Sequence, residues 1–311
     1  MCSGAILAQP GLEPGFPSKP VRIVVPYAPG GGLDILARMA SGPLNERWGV
    51  PIIVDNRPGA SGIVGTQIVA KAAPDGYTLG MVSVEFITAP FVYRQSPYDT
   101  IKDFTGVIHT ASQSYLLVVH PSVAAQSVRE LIALCKLRSL NYTSSGLGGM
   151  GHLSGALFQR MTGTQMVFVN YKGTGPALTD TIAGQVQVIF VNPLPAMPHI
   201  KSGRLRLLAS TDAKRIASMP DVPTIAESGV PGFSTNGWNA LIAPAGTPKP
   251  VVRSINEAVA AIIKSSYGSE RILSGGAEPA GGTPEEINAL MRADYKRWSD
   301  IIRTMKIRAE Y

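Results

Sequence analysis

Two β-rich runs that end in glycines and open onto helical patterns constrain this chain more than any other feature. The first is Val21-Arg22-Ile23-Val24-Val25, continued by Pro26-Tyr27-Ala28-Pro29-Gly30-Gly31-Gly32-Leu33-Asp34. The second is Asn141-Tyr142-Thr143-Ser144-Ser145-Gly146-Leu147-Gly148-Gly149-Met150-Gly151-His152. Glycine lets the backbone come close to a ligand, and the helix that follows presents unpaired N–H groups with positive partial charge. One such loop is a candidate anion site. Two, far apart in sequence, predict a small anionic ligand held from both sides.

The pattern around these loops alternates strands and helices. Strands are expected at 21–25, 51–55 and 77–82, with a helix over 34–48 for which Asp34 is placed as N-cap. This order implies parallel pairing, with ligands at the carboxyl ends of the strands. Further strands are expected at 115–120, 140–143, 167–171, 186–191, 205–210 and 241–244. Ser127-Val128-Arg129-Glu130 reads as a capping box opening a helix. Another helix covers 176–183, stopped by Gly184. Thr283-Pro284-Glu285-Glu286 is a second capping box, with proline at the first helical position, opening the last of two final helices.

At 311 residues the chain exceeds the size at which a single core stops growing, so two domains are expected. Hydrophobic residues make up 45% and charged residues only 16%, enough apolar material for real cores. The net charge of +7 suits an anionic partner. The basic residues are scattered and no nucleic-acid motif appears, so nucleic acid is not expected as a partner. Cys2 and Cys135 cannot form a disulfide framework or a CxxC site, and the four histidines show no metal-ligand spacing, so no metal is expected. No apolar run reaches the roughly 18 residues that span a membrane. Residues 1–16, with Ile6-Leu7-Ala8, look like the tail of a secretory leader, expected to be disordered and to belong to a longer exported precursor.

Catalytic patterns are thin. Gly146-x-Gly148-x-x-Gly151 follows a strand and precedes a helix, as a dinucleotide fingerprint does. No Asp or Glu occurs between His152 and Thr179 to hold a ribose hydroxyl, so no nucleotide cofactor is expected. Ser144 or Ser145 with His152 could form a nucleophile and its base, but serines before a helix ordinarily cap and brace the loop. An α/β enzyme using the Gly146–Gly151 loop or these serines is the alternative to a binding protein without catalytic residues.

An ordered set of short motifs runs the length of the chain: Pro26 to Asp34, Asp55-Asn56-Arg57-Pro58-Gly59-Ala60, Pro74-Asp75-Gly76-Tyr77-Thr78-Leu79, and Pro97-Tyr98-Asp99 with Lys102-Asp103-Phe104. It continues through Tyr171-Lys172-Gly173, Pro176-Ala177-Leu178-Thr179-Asp180, Pro198-His199-Ile200-Lys201-Ser202-Gly203, Pro220-Asp221-Val222-Pro223-Thr224 and Ala243-Pro244-Ala245-Gly246-Thr247-Pro248. With these motifs the chain resembles the Bug family, periplasmic solute receptors of tripartite tricarboxylate transporters.

The resemblance implies a two-lobed α/β fold of the type II periplasmic binding class, each lobe a mainly parallel sheet flanked by helices. Domain 1 would combine 17–115 and 239–311, and domain 2 would be 116–238. It implies a monomeric, periplasmic, non-enzymatic receptor that closes on a small organic carboxylate and delivers it to a membrane permease. The family's contacts map onto Tyr27, Ala28, Pro29, Gly30, Gly31, Gly32, Leu33 and Asp34, then Ser83 and Glu85. In the second lobe they map onto Ser145, Gly146, Gly148, Gly149, Met150, His152, Tyr171, Val191 and Asn192. Leu33, Met150 and Val191 stand where polar residues are common in the family, which implies a carboxylate with an apolar or aromatic body. Glu85 is an acid beside the expected anion site.

Overall fold

The computed structural model of the chain describes residues 15–93, 96–171, 174–274 and 276–308. The expected leader lies outside the described residues up to position 14, as do Lys172 and Gly173. Phe16, assigned to that leader, is instead packed: its ring lies 6.0 Å from Trp48 and 5.1 Å from Tyr77.

The chain builds two sheets and crosses between them twice. It begins with β1 (Val21–Val25), α1 (Gly32–Trp48), β2 (Ile52–Asn56), a short 3-10 turn (Ala60–Gly62), α2 (Ile63–Ala70), β3 (Thr78–Ser83), α3 (Glu85–Val92) and β4 (Phe104–Gln113). It then enters the second lobe with β5 (Leu116–Val119), α4 (Val128–Leu137), β6 (Leu140–Thr143), α5 (Met150–Thr162) and β7 (Met166–Val169). That lobe is completed by α6 (Thr174–Ile182), β8 (Val188–Val191), α7 (Pro193–Lys201) and β9 (Arg206–Ser210). The return runs through β10 (Gly237–Pro244), α8 (Lys249–Lys264), α9 (Ser266–Ser274), β11 (Glu278–Gly281) and α10 (Pro284–Thr304).

The first sheet has the order β11-β4-β10-β3-β1-β2 and the second β7-β6-β8-β5-β9. Both are mixed rather than mainly parallel. β1 pairs parallel with β2 and β3, and β6 parallel with β7 and β8. However, β10 is antiparallel to β3 and β4, and β5 is antiparallel to β8 and β9. The crossings explain this. A strand entering a lobe from the cleft must run opposite to strands that run toward it. The carboxyl ends of β1, β3, β4 and β6 and the amino end of β10 therefore meet at the cleft.

Apolar burial fixes this arrangement. Val21, Ile23 and Val25 on one face of β1 pack with Leu36 and Leu44 of α1 and Val259 and Ile263 of α8. Each large side chain so buried contributes about 1.5–3 kcal/mol. Residues on the opposite face, such as Val82 and Ile242, join a cluster that includes Trp298 of α10 and continues into Phe158 and Phe190 of the second lobe. Thr283 and Glu286 make the complete capping box at α10. At α4 the box is only half formed: Ser127 Oγ accepts the Glu130 N–H, but the Glu130 carboxylate takes the N–H of Gln126.

Candidate functional site

A cavity of about 520 Å³ lies where the strand ends meet, walled by both lobes. The first lobe contributes Tyr27, Gly31, Gly32, Leu33 and Asp34 from the β1–α1 loop, with Ser83 and Glu85 from the β3–α3 junction. The second contributes Ser145, Gly146, Gly148 and Gly149. The structure thus brings these expected residues together in one wall.

The first glycine loop is held open by its own side chains. Gly30 adopts the left-handed φ of 85° that turns the chain, and Gly31 is an extended N-cap with no side-chain cap bond. Asp34 is not the N-cap expected from the sequence, because it sits inside the first turn of α1. Its Oδ2 accepts the Gly30 N–H at 2.9 Å, Arg38 Nε donates to both oxygens at 3.0 Å, and Asn56 Nδ2 donates to Oδ1 at 3.0 Å. Burial alone would raise the Asp34 carboxyl, but the bonds from Arg38, Gly30 and Asn56 hold it below the usual range. Asn56 also donates to the Tyr27 carbonyl at 3.1 Å, tying the loop to β2. These bonds spend Asp34 on the loop, and among the described residues the N–H groups of Gly32 and Leu33, which line the cavity at the first turn of α1, have no hydrogen-bond partner. Ala28, Pro29 and Gly30 are exposed on the outside of the turn and do not line the cavity.

The second loop is closed upon itself. Gly148 N–H donates to His152 Nδ1 at 3.0 Å, Gly149 N–H reaches the Gly146 carbonyl at 3.4 Å, and Met150 N–H donates to Glu85 Oε1 at 3.3 Å. Thr88 of α3 donates to the Gly148 carbonyl at 3.0 Å. The expectation that both loops offer free N–H groups is corrected for three donors of the second loop: Gly148, Gly149 and Met150 N–H are engaged by His152, Gly146 and Glu85.

His152 is a brace rather than a cavity residue. Its ring is 5% exposed and lies 3.9 Å from that of Phe168, and burial lowers its pKa to about 4. The imidazole is therefore neutral at neutral pH and accepts from Gly148. Ser144 Oγ donates to the Gly146 carbonyl at 3.2 Å, as a loop brace does. Among the described residues neither Ser144 nor Ser145 bonds to His152, so the nucleophile–base pair is not assembled.

Four other expected contacts do not line the cavity with their side chains. Met150, the first residue of α5, has its side chain fully buried in the core. Val191, at the end of β8, packs with Leu116, Val118 and Ala177. Tyr171 donates its hydroxyl to Asp180, which together with burial raises its pKa to about 12. Asn192 Nδ2 reaches the Ser114 carbonyl at 3.5 Å, beside the crossing into the second lobe. The apolar character expected from Met150 and Val191 is thus core packing; Leu33, Ala89 and Leu147 supply the apolar wall instead.

Ser61, Ala89, Gln113, Thr174 and Asn239 also line the cavity and were not expected from the sequence; Leu147, inside the expected stretch 146–152, lines it too. Asn239 carried a signal, since it is a polar residue in an otherwise apolar strand. It stands opposite Ser83 in the sheet and is 4% exposed. Tyr27 donates its hydroxyl to the Ser61 carbonyl at 3.2 Å. Burial and the nearby Glu85 charge raise the hydroxyls of both Tyr27 and Tyr115 well above the usual tyrosine range.

Comparison with known proteins places this geometry. Residues 36–307 match the model of the tripartite tricarboxylate transporter family receptor, TctC. Protein BugT of Bordetella pertussis is 34% identical over 304 residues, covering 96% of this chain and 92% of BugT. The structure of Rpa4515 from R. palustris with adipate superposes with a TM-score of 0.83 at 39% identity, covering 94% of this chain and 98% of that one. MatC from Rhodopseudomonas palustris with bound malate gives 0.79 at 31% identity, covering 92% and 100%. These relatives are solute-binding proteins and not enzymes, and they share the two-lobed α/β fold. By the span of the family match and the near-complete overlap with its relatives, the chain belongs to the tripartite tricarboxylate transporter family receptors.

Proposed function

We propose that this receptor captures a small organic carboxylate in the cleft, outside the cytoplasm, and hands it to the membrane permease of a tripartite tricarboxylate-type transporter. The observation that carries the reading is the uncapped N-terminus of α1, whose residues Gly31, Gly32 and Leu33 line a cavity of about 520 Å³ shared by two lobes. A helix N-terminus with accessible N–H groups stabilises an anion by hydrogen bonds and by its dipole. Adipate and malate, seen in the relatives' structures, are small organic carboxylates.

The lobes, 17–115 with 239–311 and 116–238, act as the two jaws. A solute that touches both binds the closed arrangement better than the open one and shifts the population toward it. Native mass spectrometry of the purified protein, before and after denaturation, tests the reading. An unaltered organic acid released on unfolding supports it; a bound nucleotide, or turnover of the released compound, contradicts it.

A further inference from the structure

Among the described residues, the formal charge left unpaired in the cleft wall is a carboxylate. Glu85 opens α3 in the first lobe and lines the cavity. Its Oε1 accepts the Met150 N–H at the start of α5, in the other lobe. The second helix N-terminus therefore already has a carboxylate, supplied by the protein. Among the described residues Glu85 Oε2 accepts no hydrogen bond, and no Lys, Arg or His lines the cavity to offset the charge. Asp34, the other acid in the wall, is neutralised by Arg38. The remaining polar wall residues, such as Ser83, Gln113 and Asn239, are uncharged and do not select a sign of charge.

We infer that Glu85 is the specificity-determining residue of the cleft, rejecting a second carboxylate and selecting a monocarboxylate whose far end carries an ammonium or amide donor. The inference rests on the receptor reading above. The solute's carboxylate takes the α1 loop, its stem lies along Leu33, Ala89 and Leu147, and its donor meets Oε2 of Glu85. Two like charges held close together in a cleft repel, and the donor end gains where the second carboxylate loses.

A length-matched panel separates the cases: succinate, succinamate and 4-aminobutyrate, with adipate, adipic acid monoamide and 6-aminohexanoate. Calorimetry on wild type and Glu85→Gln measures each affinity; the amide keeps an oxygen for the Met150 N–H, and a cooperative thermal transition confirms the fold. Wild type should bind the amine or amide member of the better-fitting series at least tenfold tighter than its dicarboxylate. Glu85→Gln should tighten the dicarboxylate at least tenfold and weaken the amine. A dicarboxylate that binds wild type within threefold of its amine and amide counterparts, or is unaffected by Glu85→Gln, overturns the inference while leaving the receptor reading standing. If neither protein binds any member, both fall.

Discussion

Protonation of His152 should set the acid limit of this fold. The imidazole is buried, accepts the Gly148 N–H and is pressed against Phe168, so burial holds its pKa near 4 in the folded protein. In the unfolded chain a histidine titrates near about 6.5. Between these values the unfolded state binds the proton and the folded state does not, so stability falls as pH drops from about 6.5 to about 4. At about 1.4 kcal/mol per pH unit the loss approaches 3 kcal/mol, a large share of the stability of an ordinary domain. Urea unfolding at pH 7.5 and pH 4.5, on wild type and His152→Gln, isolates this contribution because the carboxylates titrate in both proteins. The variant should start less stable, by about 1–3 kcal/mol for the lost acceptor and ring contact, yet lose about 2–3 kcal/mol less on acidification. Equal losses in the two proteins, or an imidazole resonance titrating near 6.5 in the folded state, would refute the burial argument.

Other consequences follow from single contacts. A Cβ on Gly31 would meet only the Ala28 carbonyl, at 3.8 Å, so Gly31→Val should fold normally but crowd the donors of α1. A carboxylate at a hundred times its dissociation constant should stabilise wild type by about 2.7 kcal/mol and the variant hardly at all, read as a thermal shift. A Cβ on Gly155 would collide with the ring of the buried Tyr142, so Gly155→Ala should cost about 1–3 kcal/mol in urea unfolding. Trp238 Nε1 donates to Asp294 Oδ2 at 2.7 Å in the core, so Trp238→Phe should remove a donor from that buried carboxylate and cost about 1–3 kcal/mol.

The sequence made local elements legible and left the cleft wall obscure. Val21 to Val25 read as a strand because it is an uninterrupted β-branched run around Arg22, and α10 because a capping box precedes an apolar stripe. β4 and β11 escaped notice, and α3 and α7 carry prolines at 90 and 198 that mask their helical pattern. The antiparallel return of β10 depends on where the chain crosses between lobes, which no local pattern encodes. The same holds for the site. The glycines of both loops announced themselves, but whether their N–H groups stay free depends on partners far away in sequence. Glu85 reaches Met150 across 65 residues, and Asn56 reaches Asp34 across 22. Val191 was misplaced because strand alternation at β8 turns it into the Leu116 and Ala177 cluster, whereas Phe190 before it faces the larger core.

A crystal structure of the receptor with its tightest-binding carboxylate would show whether the N-terminus of α1 grips the solute. The solute should lie between the lobes, with a carboxylate oxygen within hydrogen-bonding reach of the Gly31, Gly32 or Leu33 N–H. A solute bound outside this cavity, or one whose carboxylate displaces Glu85 from Met150 and leaves the α1 donors empty, would contradict it.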